Sequence, residues 1–287
     1  HNGSVELAKQ MVDRAVWAGA DCAKFQMRHL KELYQNEGNP NDLSEDLGSQ
    51  YILDVLSRSQ LTADEMCEVF DYCREKDILP LCTPWDVASV VALEEYGIDA
   101  YKVASADLTN HDLIRVIAKT GKPMILSTGM SSEKEIIETV DLLKRLGVPF
   151  ILLNCNSTYP APFKDLNLKY LNRLKEIGNC LVGYSGHERG INVVLAAVAC
   201  GGKVIEKHFT LDKSMEGNDH KISLLPGEFK AMVEGIRQIE EAIGTESKRV
   251  LGVGERLNRE NLAKSMVSNC DIRVGDVVTE DMIQIKG

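Results

Sequence analysis

Short, nearly uninterrupted apolar runs alternate with longer amphipathic segments along most of this chain. Continuous apolar runs are typical of parallel strands covered on both faces, and the amphipathic segments have the 3.6-residue period of helices. The predicted strands are Asp21–Met27, Ile78–Thr83, Ala100–Ser105, Pro123–Ser127, Phe150–Cys155, Cys180–Ser185 and Lys203–His208. The predicted helices are Val5–Ala18, Thr62–Lys76, Val87–Tyr96, His111–Lys119, Ser132–Leu146, Leu166–Ile177, Ile191–Ala199 and Pro226–Ile243. This alternation predicts an α/β protein built on a parallel sheet.

Local signals mark where several of these helices begin and end. Thr62 and Ser132 are each followed three residues later by a glutamate, which is the pattern of a capping box. Glycine readily adopts the left-handed conformation that caps the carboxyl end of a helix. Glycines stand at four such expected ends, namely Gly97, Gly121, Gly147 and Gly201.

The element count favours an eight-stranded (β/α)8 TIM barrel whose first strand precedes His1 and is missing from this sequence. A doubly wound open sheet is the alternative, but no glycine-rich phosphate loop follows an early strand. We predict the barrel over residues 1–244 and a polar, glycine-bearing linker over residues 245–260. Residues 261–287 predict short strands around a turn at 274–276, as at the start of a small β-rich domain.

Composition and charge exclude several classes of function. The 287 residues carry a formal net charge of −10, which disfavours binding to nucleic acids and anionic membranes. No apolar run approaches the roughly 20 residues of a membrane span, and no signal peptide is recognisable. The eight cysteines include no CxxC spacing. We therefore expect reduced, structural thiols in a cytoplasmic protein.

Every predicted strand ends in polar residues, at the edge where barrels place their active sites. Lys24 and Lys102 lie within apolar runs, where an ammonium group needs either an anion or a route to water. Four serines follow at strand ends, namely Ser105, Ser127, Ser157 and Ser185. Two ammonium groups with several hydroxyl donors predict a site for a phosphate or a carboxylate.

His187 and His208 end consecutive predicted strands. Neighbouring parallel strands lie about 4.8 Å apart, so both imidazoles can reach one ion. With Glu206 nearby, they suit a divalent metal in the manganese, magnesium or zinc range, although hydrogen-bonded histidines without metal remain the alternative. Glu206 shares a strand face with His208, which also allows a role as general base or as support for a ligand. The polar loop 216–220 is expected to be a solvated turn.

Nine short motifs in this order resemble the sialic acid synthases, a family that includes N-acetylneuraminate, legionaminate and pseudaminate synthases. They are His1-Asn-Gly-Ser, Lys24-Phe-Gln, Cys82-Thr-Pro, Tyr101-Lys-Val-Ala-Ser, Leu126-Ser-Thr-Gly-Met, Asn154-Cys-Asn-Ser-Thr-Tyr-Pro, Gly183-Tyr-Ser-Gly-His, Ile205-Glu-Lys-His-Phe-Thr and Gly217-Asn-Asp-His. The segment from Lys264 resembles the start of the family's small antifreeze-like (SAF) domain.

The resemblance implies a role for each matching residue. The positions that hold phosphoenolpyruvate are Lys24, Thr83, Lys102, Ser105, Ser127, Ser157 and Ser185. Some family members carry asparagine in place of Ser157. The metal ligands are His187 and His208, with manganese as the expected ion and magnesium or cobalt as alternatives. Gln26, Tyr159 and Asp219 match positions that contact the amino sugar. Glu206 matches a carboxylate beside the metal and completes a catalytic set with the two histidines.

The implied reaction condenses phosphoenolpyruvate with an N-acetylmannosamine-like sugar to give a nonulosonic acid and phosphate, with cleavage of a carbon–oxygen bond. The resemblance also implies a homodimer in which the small C-terminal domains are exchanged. Met27 and Arg28, which follow the Lys24 motif, are candidates for setting the choice of sugar. Three alternatives remain: a Schiff-base aldolase using Lys24 or Lys102, a deoxy-sugar-phosphate synthase of the heptulosonate kind, and a paralogue without catalysis.

Overall fold

Seven parallel strands form one curled sheet in the computed structural model, which describes residues 1–33 and 56–287. The strands are β1 (Cys22–Met27), β2 (Leu79–Pro84), β3 (Tyr101–Val103), β4 (Met124–Ser127), β5 (Phe150–Cys155), β6 (Val182–Gly186) and β7 (Val204–Lys207). Each strand pairs in parallel with the next along the chain. The predicted strands are confirmed, with ends shifted by at most two residues. The eighth strand, expected ahead of His1, stays a prediction.

Helices connect these strands and cover the sheet. They are α1 (Val5–Trp17), α2 (Leu30–Leu33), α3 (Ala63–Glu75), α4 (Val87–Tyr96), α5 (His111–Ala118), α6 (Glu133–Leu146), α7 (Tyr170–Gly178), α8 (Asn192–Ala199) and α9 (Pro226–Ile243). The capping boxes predicted at Thr62 and Ser132 are present at the start of α3 and α6. Gly97 and Gly147 end α4 and α6 in the left-handed conformation.

One predicted helix begins later than expected. The prediction placed it at Leu166–Ile177, but α7 begins at Tyr170, and a single 3-10 turn occupies Phe163–Asp165. Asn167 has a φ of 43°, in the left-handed region that an α-helix cannot include. The amphipathic pattern alone did not reveal this break.

The core lies between the sheet and its helices. Phe70 from α3, Ile114 from α5, Leu143 from α6 and Tyr184 from β6 are almost completely buried there. Helix α1 contacts α9, the last helix of this unit, so the helical layer returns to its starting point. The curl of the sheet brings the polar ends of its strands towards one another.

Residues 244–287 form a second compact unit. Strands β8 (Ser265–Ser268) and β9 (Ile283–Lys286) pair antiparallel in this unit, with Gly275 at a φ of 98° between them. The predicted linker 245–260 is wrong in part, because α10 (Val253–Leu262) occupies much of it. Glu255 stabilises the start of α10 by accepting from the backbone N–H of Gly252. In neither described range is any helix both long and apolar enough to cross a lipid bilayer.

Candidate active site

A cavity of about 770 Å³ lies along β1 and β7 and extends to the carboxyl ends of the strands. Its lining includes Lys24 and Gln26 from β1, Lys102 from β3, and Glu206 from β7. Tyr159, His208 and Asp219 also line it, from the segments that follow β5 and β7. Most of the predicted site residues therefore meet at the carboxyl ends of the strands, as the sequence predicted.

Glu206 lies between the two predicted lysines. Its Oε1 is 3.1 Å from Lys24 Nζ, and its Oε2 is 3.4 Å from Lys102 Nζ. Lys102 is only 3% exposed and donates hydrogen bonds to Ser127 Oγ at 2.7 Å and to the carbonyl oxygen of Val103. Three elements distant in sequence thus form one buried charged network.

The charges in this network perturb one another. Burial opposes ionisation of Glu206, but Lys102 and Lys24 outweigh that effect and, with the Ser185 hydroxyl, lower the pKa of the carboxyl. Burial lowers the pKa of Lys102, and Glu206 opposes that shift. Two cations therefore share a single carboxylate, so the network has room for a further negative charge.

A second group of hydroxyls lies beside this network. The backbone N–H of Gly129 donates to Ser105 Oγ at 3.2 Å. A Cβ atom at residue 129 would lie 2.2 Å from Ser157 Oγ and 2.8 Å from Ser105 Oγ, so a side chain there would displace these hydroxyls. Cys155 Sγ is 3.5 Å from Ser105 Oγ and 4.0 Å from Ser157 Oγ. Ser105 and Ser157 are thus brought together as predicted, around a backbone N–H.

The two predicted metal-binding histidines are neighbours, with ring centroids 5.2 Å apart. His187 Nδ1 lies 2.7 Å from the carbonyl oxygen of Asn156, which can only accept, so Nδ1 carries the proton of the neutral ring. The lone pair of His187 Nε2 then faces the Tyr159 hydroxyl at 3.0 Å. Burial lowers the pKa of His187, but Cys155 and the Asn156 carbonyl outweigh that effect and raise this pKa overall. Burial lowers the pKa of His208 to about 4.

Imidazole is a common ligand of divalent metals, and the Asn156 carbonyl fixes the orientation of the His187 ring. Within residues 1–33 and 56–287, no three His, Cys, Asp or Glu side chains are grouped as a metal site. The carboxylate of Asp219 lies beside this pair, with Oδ2 3.7 Å from His208 Nδ1. The residues present fit an ion held by two protein nitrogens, with its other positions left for water or substrate.

Gln26 is held by two neighbouring donors. Its Oε1 accepts hydrogen bonds from Trp85 Nε1 at 3.0 Å and from Arg28 Nη2. Thr83 lies opposite Gln26 in the register of β1 and β2 and is 2% exposed. Asp219 is more exposed than the other two residues assigned to the sugar.

Sequence reasoning missed the position of Cys155. We predicted structural thiols, and all eight cysteines are free, but Cys155 Sγ lies 3.8 Å from His187 Nδ1 inside the site. Burial raises the pKa of this thiol, but the contacts with His187 outweigh it and lower the pKa overall. Leu153, two residues earlier on β5, lines the cavity, so the two-residue period of the strand could have indicated Cys155.

One other prediction needs correction, and one buried ion pair was not predicted. The loop 216–220 is not entirely solvated, because His220 is buried and hydrogen-bonded to Thr210 Oγ1 at 2.7 Å and to Asn2 Oδ1 at 3.0 Å. Behind the histidines, Lys207 Nζ pairs with Glu188 Oε1 at 2.8 Å, and both side chains are completely buried. No local pattern in the sequence indicated that pair.

Taken together, the fold and this edge of the sheet define an α/β enzyme whose polar site is built on the ends of parallel strands. The sequence profile of the NeuB family matches residues 11–248. The N,N'-diacetyllegionaminic acid synthase of Campylobacter jejuni is 38% identical over 291 residues, covering 100% of this chain and 87% of that protein. The N-acetylneuraminate-9-phosphate synthase of Homo sapiens is 35% identical over 289 residues, covering 100% and 80%.

A solved structure agrees with these relatives. The N-acetylneuraminic acid synthetase of Leptospira borgpetersenii, in complex with citrate, superposes with a TM-score of 0.81 at 32% identity, covering 91% of this chain and 88% of that one. This chain belongs to the NeuB family, and the resemblance to sialic acid synthases is confirmed. It is therefore an enzyme, a transferase of the sialic acid synthase type.

Proposed function

We propose that this enzyme condenses phosphoenolpyruvate with an N-acetylmannosamine-like amino sugar, giving a nonulosonic acid and phosphate with cleavage of a carbon–oxygen bond. The observation that carries the proposal is the pair of lysines, Lys24 and Lys102, that share the single carboxylate of Glu206. The names of the relatives, which are synthases of legionaminic acid and of N-acetylneuraminate 9-phosphate, support the same reaction.

Phosphoenolpyruvate carries a phosphate and a carboxylate, and the site offers groups for both. Lys24 and Lys102 supply positive charge, and the serine hydroxyls supply hydrogen-bond donors. The backbone N–H of Gly129 donates to Ser105 Oγ and so orients that hydroxyl. The residues assigned to this substrate are Lys24, Thr83, Lys102, Ser105, Ser127, Ser157 and Ser185. The burial of Lys102 makes an anion there more valuable than at the surface, because water screens the charges less.

We assign a divalent metal, manganese in the first instance, to His187 and His208, whose ring centroids lie 5.2 Å apart. Such an ion supplies Lewis-acid polarisation of the sugar aldehyde when it is bound. The Asn156 carbonyl keeps a proton on Nδ1 of His187, so the ligand atom of this ring would be Nε2, which lies 3.0 Å from the Tyr159 hydroxyl. Gln26, Tyr159 and Asp219 border the same part of the cavity and are assigned to the sugar.

The reaction begins when the methylene carbon of phosphoenolpyruvate attacks the open-chain sugar aldehyde. Cationic character then develops at the enol carbon, water adds there, and phosphate leaves with the former enol oxygen. Glu206 is ionised, so it can accept the proton of this water. Phosphate bound to Lys24 and Lys102 would weaken the attraction of these lysines for Glu206. The carboxylate would then be more basic when water adds to the enol carbon.

We further propose that residues 244–287 belong to an antifreeze-like unit that docks in a homodimer. Helix α10 exposes three apolar side chains, and two of them, Val253 and Leu257, stand four residues apart on one face, whereas Leu262 lies on the opposite side. Exposed apolar side chains on one face of a helix are typical of a surface that another chain covers. Light scattering coupled to gel filtration would give the mass of a dimer, whereas a monomer would contradict this part of the proposal.

The test of the reaction is a product assay across candidate amino sugars, with and without a phosphate group. The enzyme, phosphoenolpyruvate and manganese should yield a nonulosonic acid that reacts with thiobarbituric acid. Borohydride should trap no adduct of pyruvate on the enzyme, since the proposed reaction forms no imine. A trapped lysine adduct would instead support the Schiff-base aldolase that the sequence left open.

A further inference from the structure

We infer that Trp85 fixes the side-chain amide of Gln26, so that its NH2 group faces the cavity and meets an acceptor oxygen of the amino sugar. This inference rests on the proposed function, because Gln26 is one of the residues assigned to that sugar. It adds a positioning residue that the sequence did not single out, and it states the polarity of one contact to the substrate.

The polarity follows from the two groups that converge on one atom of Gln26. Trp85 Nε1 lies 3.0 Å from that atom, and Arg28 Nη2 also contacts it. An indole N–H and a guanidinium N–H can only donate hydrogen bonds. The shared atom must therefore be the carbonyl oxygen, and the NH2 group is the other end of the amide.

Contacts around Trp85 hold the indole in place. The Arg28 guanidinium carbon lies 4.2 Å from the centroid of the Trp85 ring, a distance typical of a cation–π contact. The backbone N–H of Trp85 donates to the carbonyl oxygen of Met27 at 3.1 Å, which ties the indole to β1. Gln26 lines the cavity, whereas Trp85 is not among the lining residues in the described ranges. Trp85 therefore acts on the site through Gln26.

The remaining end of the amide is available to a ligand. Within residues 1–33 and 56–287, Gln26 Nε2 has no hydrogen-bond partner, and it is not a buried unsatisfied atom. A fixed donor selects an oxygen with a free lone pair, such as an N-acyl carbonyl or a hydroxyl. The same donor would be repelled by the ammonium group of an amino sugar that lacks the acyl group. Fixing the amide beforehand also removes the cost of ordering it when the sugar binds.

Two substitutions separate this inference from a merely structural role of the cluster. Gln26→Glu keeps an acceptor for Trp85 and Arg28 but replaces the donor towards the cavity by a second acceptor. We expect the KM for the sugar to rise about tenfold or more, while the KM for phosphoenolpyruvate stays unchanged. Trp85→Phe keeps a ring beneath Arg28 but removes the indole N–H, and we expect a rise of about three- to tenfold in the same constant.

The double variant tests whether Trp85 acts through Gln26. If it does, Trp85→Phe will add little to the sugar KM of Gln26→Glu, because the donor is already lost. Trp17→Phe is the matched control, since Trp17 also lies beneath a cation, Lys230 Nζ at 4.5 Å, and does not line the cavity. An unchanged sugar KM in Gln26→Glu or in Trp85→Phe would overturn the inference, as would fully additive effects in the double variant.

A crystal structure of Trp85→Phe decides the matter even if no amino sugar is turned over. In the wild-type enzyme Gln26 should hold one orientation, and in Trp85→Phe its amide should occupy more than one. A Gln26 side chain unmoved in the variant would contradict the role of Trp85. Failure of wild-type turnover with every amino sugar would instead count against the proposed function.

Discussion

Lys24 Nζ on β1 and Glu206 Oε1 on β7 are 3.1 Å apart, so an ion pair joins the first and the last strand of the described sheet. The same carboxylate reaches Lys102 on β3 through its other oxygen. The curl of the sheet thus produces the site directly, because it brings strands that are distant in the sheet order to one charged group. The stability of this region and the binding of an anionic substrate should both depend on Glu206.

The ionisation of Glu206 predicts a pH-dependent contribution to stability. Its pKa is lower in the folded protein than the ordinary value of about 4.3. The stabilisation is therefore fully present above that value and is lost as the pH falls below it towards the folded pKa. Chemical denaturation should show a difference in unfolding free energy between wild type and Glu206→Gln that is large near pH 7 and shrinks below about pH 4. The surface variant Glu138→Gln is the control, and a difference independent of pH would contradict the assignment.

The burial of Lys102 predicts a large effect on phosphoenolpyruvate binding. Lys102→Met should raise the Kd measured by calorimetry tenfold or more, because a hydrogen bond to a charged group is worth about 1.5–3 kcal/mol. Lys122→Met serves as the control, since Lys122 pairs with Glu94 on the surface and does not line the cavity. An unchanged Kd in Lys102→Met would mean that this ammonium group does not meet the substrate.

The pair of imidazoles predicts a metal site that can be removed without unfolding the protein. His187→Ala and His208→Ala should each lose manganese binding, measured by electron paramagnetic resonance of the free ion, while the circular dichroism spectrum stays unchanged. His111→Ala is the control, because His111 bonds to Thr139 on the helical layer. Full manganese affinity in either site variant, or full activity of the wild type in excess chelator, would refute the metal assignment.

The buried pair of Lys207 and Glu188 predicts a contrast between single and double substitution. Glu188 Oε2 also accepts from the Tyr184 hydroxyl at 2.6 Å, so Lys207→Met would leave a buried carboxylate without its cation. We expect this single variant to lose about 3–5 kcal/mol of unfolding free energy, and the Lys207→Met, Glu188→Leu double variant to lose much less. Equal losses in the two variants would show that the charges are not what stabilises this region.

The sequence was sufficient for the strands and for the residues at their ends, because both follow from local periodicity. It placed Lys24, Lys102, His187 and Glu206 at one edge of the sheet before their contacts were known. Contacts between residues that are distant in the sequence could not be predicted in this way. The bond between Trp85 and Gln26 depends on the register of β1 and β2, because Trp85 directly follows β2. A buried pair such as Lys207 with Glu188 has no periodic signature.

The helix α10 was not predicted, because its stretch of the sequence is rich in glycine and polar residues. The stretch 245–260 was interpreted as a linker because of its composition, yet Gly252 precedes α10 and serves as its N-cap. The apolar residues Val253 and Leu257 stand at the i and i+4 positions of a helix, which was the signal available. Polar and charged residues outnumber the apolar ones in this helix, so the composition favoured a linker.

The fate of the enol oxygen of phosphoenolpyruvate tests the central claim most directly. The full-length enzyme would be incubated with manganese, an N-acylated amino sugar and phosphoenolpyruvate labelled with oxygen-18 at the bridging position. Mass spectrometry should find the label in the released phosphate and find a nonulosonic acid whose C2 oxygen comes from water. Label retained in the sugar product, or phosphate released without any nonulosonic acid, would contradict the account.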